Sequence, residues 1–284
     1  MLTTTLILPH PSLNDFISNY SLCTSGTANL NMSLPWFAHY DTSLCFFLGD
    51  TPVQIRNTNI DNPTESTNKV CLCGLMTHCK GTTTFKGNYK TFIIEFKLNG
   101  FNKMFGIPAS KICNNTYPAI EVIGNEVKDI YEHLLNASNV KEMVWVADRF
   151  LMNFLSRQKA TYKNEGITKI AHQLLSNNNT TTIPHYATYA NMSIRNFERR
   201  FSEQVGTSPK LFCKLIRFNR AINCKLIDPK KSWTDIAYEC GYYDGMHMVK
   251  EFKQFSNASP AALFNDNSWL INETVTILER TTLY

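Results

Sequence analysis

The stretch Ser232–Leu263, SWTDIAYECGYYDGMHMVKEFKQFSNASPAAL, decides how this chain is read. Trp233, Ile236 and Ala237 form the apolar stripe of a short helix. Gly241 comes four residues after Ala237, where the chain must turn and a left-handed backbone costs glycine little. Asp244 is a good N-cap for a second helix, along which Met248, Phe252 and Phe255 recur at helical spacing as a buried face. Ser259-Pro260 opens a third helix, with serine as cap and proline in the first helical position. The prediction is two short helices around a glycine turn, the second with a basic outer face.

The same punctuation occurs upstream in MSIRNFERRFSEQVGTSPKLF, residues 192–212. Phe201 aligns with Phe252, Arg199 with Lys250, Phe197 with Met248, and Ser208-Pro209 with Ser259-Pro260. Gly206 matches Asn257, and both residue types tolerate the left-handed conformation past a helix end. Ala187 and Asn191 repeat the spacing of Ala237 and Gly241, and Ser193 caps a turn one residue shorter. Two tandem helix-turn-helix units are predicted. The helix between them, Pro209 to Leu226, spans about 27 Å, enough to hold two recognition helices roughly one DNA turn apart.

At 284 residues the chain has room for two domains. No apolar run approaches the roughly 20 residues of a membrane helix. MLTTTLILPHP, at the N-terminus, lacks the basic flank and long apolar core of a signal peptide, so a cytoplasmic location is expected. The nine cysteines read most simply as free thiols. The net charge of +5 is uneven: residues 166–267 hold 13 Lys+Arg against 8 Asp+Glu, residues 1–165 hold 14 against 13. The surplus lies where the repeated units lie, as phosphate neutralisation requires.

From Met1 to Pro118 the texture is strands and turns. Leu44–Leu48, Val70–Met76 and Thr91–Leu98 read as buried strands, with a polar loop from Asn57 to Asn68 and a single helical turn at Phe101–Phe105, stopped by Gly106 and Pro108. The economical reading of residues 1–118 is a β-rich barrel-like or sandwich-like domain. Residues 119–165 change to helical period, with helices over Val122–Leu135 and Lys141–Gln158. The second is apolar enough to pack on the β domain or on a second copy, and base rates of helix burial favour the first. A polar linker then leads to an all-α domain over residues 166–267, and an apolar tail, 268–284, has no assigned place.

Residues 167–265 resemble the AraC/XylS family of bacterial transcription regulators. The carriers are Ser193, Arg195, Phe197, Arg199 and Phe201 in the first unit, and Ile236, Ala237, Gly241, Asp244, Phe252, Ser259 and Pro260 in the second. Leu44–Asp50, with Phe96 through Gly106-Ile107-Pro108, resembles an uncharacterised β-rich domain found before such units. The resemblance implies a sequence-specific transcription regulator, more often an activator. Its partners would be double-stranded DNA, RNA polymerase, a small-molecule effector of unknown identity, and a second copy of the chain. The implied DNA-facing positions, with their caps, are Ser193, Ile194, Arg195, Glu198 and Arg199, then Asp244, Gly245, Met246, His247, Val249, Lys250 and Lys253. The sequence departs from the family at Met246, Met248 and Lys250, where serine, an aromatic residue and arginine are more usual. Arginine reads guanine by two hydrogen bonds and Glu198 accepts from cytosine N4, whereas Gly245, Met246 and Val249 offer no polar side chain. The first unit is therefore expected to read sequence, and the second to supply affinity and register.

Arg200, Arg217 and Arg220 fit DNA contacts and plain helix-surface charges equally. Cys71, Cys73, His78 and Cys79 form the one cluster suggestive of zinc, copper(I) or redox sensing, against the plainer reading of cysteines as small apolar residues in a strand. Trp36, Tyr40, Phe46 and Phe47 could line an effector pocket, but such residues are more often core. No catalytic or cofactor motif is present, so neither enzyme activity nor a cofactor or metal is expected. A non-specific architectural DNA-binding protein is the remaining alternative.

Overall fold

The computed structural model describes residues 2–27, 29–56, 64–65, 68–157, 165–176, 182–265 and 273–278. Strands β1 (Leu2–Ile7), β2 (Ile17–Ser25), β3 (Leu30–Pro35), β4 (Thr42–Phe47), β5 (Val53–Arg56), β6 (Thr64–Glu65), β7 (Val70–Cys73), β8 (Gly81–Gly87), β9 (Lys90–Phe96) and β10 (Thr116–Pro118) come from the N-terminal part of the chain, and β11 (Glu273–Leu278) from its tail. They form a seven-stranded sheet in the order β10-β7-β4-β9-β2-β1-β11 and a four-stranded sheet β3-β8-β5-β6.

Side chains alternate across a strand, and here each face meets a different layer. On the larger sheet Tyr20, Leu44, Phe46, Leu72, Phe92 and Ile94 point to one side. They are covered there by α3 (Glu126–Asn136) and α4 (Val140–Arg157). Leu2, Cys45, Phe47 and Cys71 point to the other side, where they meet Leu30, Phe85 and Tyr89. The N-terminal domain is thus sheet on sheet with helices outside, as the strand-rich texture predicts. Helix α4 does pack within the chain, and its Asp148 is buried, accepting hydrogen bonds from Tyr20 Oη (2.8 Å) and the His10 backbone (3.0 Å).

Three details differ from the sequence reading. Helix α1 (Gly100–Phe105) ends at Gly106 as expected, but the helix predicted over 122–135 is two, α2 (Ala119–Ile123) and α3, because Gly124 takes φ 107°. Trp36, Tyr40, Phe46 and Phe47 share no pocket: Phe46 lies under the helices, Phe47 between the sheets and Tyr40 against Phe212, while Trp36 Nε1 donates to His39 Nε2. The tail, unassigned from sequence, places β11 parallel to β1, from Leu2↔Glu273 to Ile7↔Leu278. Most of the polar loop 57–68, of the linker before Gly166 and of the loop 177–181 lies outside the described residues.

The C-terminal domain is all helix: α5 (Glu165–Ser176), α6 (Ile183–Tyr189), α7 (Ile194–Val205), α8 (Pro209–Ile227), α9 (Trp233–Glu239), α10 (Gly245–Ser256) and α11 (Pro260–Asn265). One core runs through it and takes in Ala38 and Leu75 from the N-terminal domain. The Ala38 backbone N–H donates to Phe255 O (3.0 Å), Tyr40 meets Phe212 edge-on at 6.0 Å, and Asn99 Nδ2 donates to Thr168 Oγ1. Gly206 sits against Ala109, whose carbonyl oxygen would lie 3.5 Å from a Cβ there.

His39, next to this junction, has its imidazole pushed down from 6.5 to about 4 by burial. An unfolded chain takes up that proton near 6.5 and the folded one only near 4, so the stability owed to the neutral ring is present above 6.5 and lost as pH falls toward 4. Urea unfolding of the wild type should therefore weaken more steeply than that of His39→Gln across that window. Parallel slopes for the two proteins would contradict it.

Candidate nucleic-acid interface

Both helix-turn-helix units form, α6–α7 and α9–α10. In the turns Asn191 (φ 53°) and Gly241 (φ 76°) adopt the left-handed conformation. The next residues, Met192 and Tyr242, donate their N–H groups to Ala187 O and Ala237 O, each at 2.9 Å. Ser193 Oγ accepts from the Asn196 N–H (3.4 Å), and Asp244 Oδ1 from the His247 N–H (2.6 Å). Each satisfies one of the donors a helix start leaves unpaired. Gly206 (φ 106°) and Asn257 (φ 61°) close the two recognition helices, and Ser208 and Ser259 cap α8 and α11.

Burial sorts the two helices as predicted. Phe197, Phe201, Met248, Phe252 and Phe255 are buried. Ser193, Ile194, Arg195, Glu198 and Arg199 are exposed on α7 and its cap, as are Asp244, Gly245, Met246, Lys250 and Lys253 on α10 and its cap, with His247 and Val249 half-buried beside them. Arg199 lies along its own helix, Nη1 on Glu203 Oε1 (2.6 Å) and Nη2 on Asn196 Oδ1 (3.0 Å). An exposed pair of this kind is worth little and exchanges readily. Tyr243 stands 87% exposed beside the α10 cap, while its neighbour Tyr242 is buried.

Beneath α10 lies a buried ionic cluster. Glu251 is 2% exposed, and its Oε1 meets Arg217 Nη2 (2.8 Å), His247 Nε2 (3.2 Å) and Lys214 Nζ (3.7 Å). The Arg217 guanidinium also covers the Tyr242 ring at 5.2 Å. The Tyr242 hydroxyl is raised well above its usual range, first by burial and then by the Glu251 carboxylate. Arg217 is thus a scaffold residue, and so is Arg220, whose Nη2 donates to Leu175 O (3.0 Å). The half-buried Arg200 donates Nε–H to Asn196 Oδ1 (3.4 Å).

Of Cys71, Cys73, His78 and Cys79, Cys73 shares a hydrogen bond with Cys45 on the neighbouring strand. Cys71 and Cys79 donate to the carbonyls of Asn68 and Gly81. The chain also leaves β7 after Cys73, Met76 pairing with His39. Among the described residues no group of three His, Cys, Asp or Glu side chains is placed to hold a metal ion. No described helix is long and apolar enough to cross a membrane.

Removing one partner of a buried ion pair leaves the other charged and desolvated, a cost of about 3–5 kcal/mol. Glu251→Ala should lower stability by about that much in urea unfolding, against less than about 1 kcal/mol for Glu203→Ala, whose ion pair with Arg199 is exposed. Equal effects would show that the cluster does not tie α10 to α8.

Residues 186–266 match a family described as "Helix-turn-helix domain", and residues 5–118 match "Domain of unknown function (DUF6597)". The HTH-type transcriptional activator RhaS of Escherichia coli O139:H28 is 33% identical over 69 residues, 24% of this chain and 24% of its own length. The RhaS of Escherichia coli O9:H4 matches to the same extent. The chain thus spans about a quarter of the length of the curated relatives it matches. Among solved structures, ToxT of Vibrio cholerae O395 aligns over 89% of this chain and 98% of its own at 10% identity, TM-score 0.44. The DNA-binding domain of AdpA in complex with a target DNA aligns over 36% and 89% at 24% identity, TM-score 0.31. Likenesses this loose add nothing to the assignment. Residues 186–266 thus carry an AraC-type helix-turn-helix domain, and residues 5–118 a DUF6597-type domain in front of it.

Proposed function

We propose that this protein is a cytoplasmic, sequence-specific DNA-binding transcription regulator that lays α7 and α10 into successive major grooves on one face of the duplex. The observation that carries the reading is the equivalence of the two units: two capped helix starts, each with its aromatic face buried and its polar face exposed, joined through α8. Helix α8, 19 residues or about 28 Å long, has the length to separate the units by roughly one DNA turn. Activation is the favoured outcome, since the curated relatives are named as transcriptional activators. RNA polymerase would then be the protein partner.

The N-terminal domain is proposed to sense an effector, to dimerise, or both. Its junction with both helix-turn-helix units supports a regulatory role: Ala109 touches the end of α7 at Gly206, and Ala38 hydrogen-bonds the last turn of α10 at Phe255. The space between its sheets is occupied by Leu30, Cys45, Phe47, Cys71 and Tyr89, so an effector bound there has to displace side chains.

Within the interface, Arg195, Glu198 and Arg199 are proposed to read bases, with Ser193 and Ile194 at the groove edge. Lys250 and Lys253 serve phosphates. Asp244, Gly245, Met246, His247 and Val249 supply contact without a strong polar code. Selection from random DNA by the full-length protein, at stated salt, should return a motif with two half-sites about one turn apart. Arg195→Ala or Arg199→Ala should each relax preference at one base pair by about 1–3 kcal/mol, while Met246→Ala and Val249→Ala leave it nearly intact. Recovery of no motif, with affinity that only falls with salt, would identify an architectural DNA-binding protein instead.

A further inference from the structure

The second helix-turn-helix unit contains a pair of thiols that its DNA-binding role does not use. Cys224, on the last turn of α8, and Cys240, the residue that ends α9, have their Sγ atoms 4.0 Å apart. They are 16 residues apart in sequence, on two elements that must keep their relation if α10 is to stay in register with the first unit. Cys240 is 2% exposed, whereas Cys224 is half-buried and open to a small oxidant at its rim.

The surroundings divide the labour between the two sulfurs. Cys224 Sγ donates to Glu239 Oε1 (3.7 Å), so an acceptor for its proton is in place. Lys231 pairs in turn with Glu239, which holds that acceptor beside Cys224. The buried partner differs: burial and then the neighbouring Cys224 push the Cys240 thiol up to about 12, which keeps it protonated until it is attacked or attacks.

We infer that Cys224 and Cys240 form a reversible disulfide in response to a peroxide-class oxidant, and that its formation releases the second recognition helix from DNA. The Cys224 thiolate attacks a peroxide oxygen; the O–O bond breaks, leaving a sulfenic acid on Cys224 and, after protonation, one water. Cys240 sulfur then attacks the Cys224 sulfur, the S–O bond breaks, the S–S bond forms and a second water leaves. Two thiols are oxidised by two electrons and the peroxide is reduced by two.

The consequence follows from distance. A disulfide holds its sulfurs at about 2.05 Å, so the pair must close by about 2 Å from its present separation. Cys240 immediately precedes Gly241, whose left-handed turn launches α10. To the extent that the backbone at Cys240 takes up this closure, the start of α10 moves relative to α7, and two recognition helices out of register do not both seat. A thiol pair on exposed loops would lack this leverage.

The inference rests on the DNA-binding reading above, and its first readout is chemical so that the two can fail separately. Full-length protein is treated with hydrogen peroxide, blocked with an alkylating agent and digested, and linked peptides are identified by mass. In parallel, affinity for the selected DNA site is followed by fluorescence anisotropy. The expected result is a Cys224–Cys240 linked peptide, a loss of affinity of about tenfold or more, comparable to losing one base pair of the site, and recovery of both with dithiothreitol. Cys224→Ser and Cys240→Ala should each bind DNA and resist the peroxide effect; having both guards against one of them folding poorly. Absence of the linked peptide while other thiols oxidise would overturn the inference, and so would a linked peptide with unchanged affinity. If the reduced protein selects no DNA motif, the DNA-binding reading fails, and the linked peptide alone then decides whether the pair is oxidisable.

Discussion

Helix α8 is the constraint on which the C-terminal domain depends. Its N-terminal half packs on the first unit, Phe212 meeting Phe201 at 5.6 Å. Its C-terminal half packs on the second, with Phe218 between Phe252 (4.9 Å) and Phe255 (5.3 Å). Aromatic pairs of this kind add about 0.5–1.5 kcal/mol each beyond the area they bury, but their larger effect is geometric. A single uninterrupted helix, capped by Ser208 at one end, fixes the distance and the angle between the two helices that face outward. The Glu251–Arg217 pair then locks α10 onto α8 with a directional contact that hydrophobic packing alone does not supply.

The N-terminal domain is fitted to the same scaffold. It reaches α8 through Tyr40 and Phe212, α5 through Asn99 and Thr168, and the far ends of α7 and α10 through Ala109 and Ala38. The recognition faces start at the opposite ends of those helices, so the junction leaves them clear. The tail strand β11 adds a second connection by pairing with β1 at the edge of the larger sheet.

Much of this was legible in the sequence because helix-turn-helix units are local. Their caps, left-handed turn residues and aromatic stripes are set by contacts within about twenty residues, so Asn191, Ser193, Gly241 and Asp244 announced themselves. What depends on distant pairing was hidden. Thr-rich β1 and β8 show little alternation, and their place is fixed only by partners far along the chain. Arg217 looked like any helix-surface charge until α10 brought Glu251 beneath it, and Cys224 and Cys240 had no visible relation before α8 and α9 packed. The Cys71–Cys79 cluster was the converse case. Nearness in sequence suggested a metal site, but among the described residues no three such side chains are placed to hold one.

The central claim is that α8 holds the two recognition helices at one fixed separation. Its most direct test is binding of the full-length protein to its site with base pairs inserted between the half-sites, half a turn in one case and a full turn of about 10 base pairs in the other. A rigid α8 predicts that both insertions reduce affinity to that of a single half-site. Recovery of affinity on the full-turn insertion would mean that the units move independently, and would contradict the account.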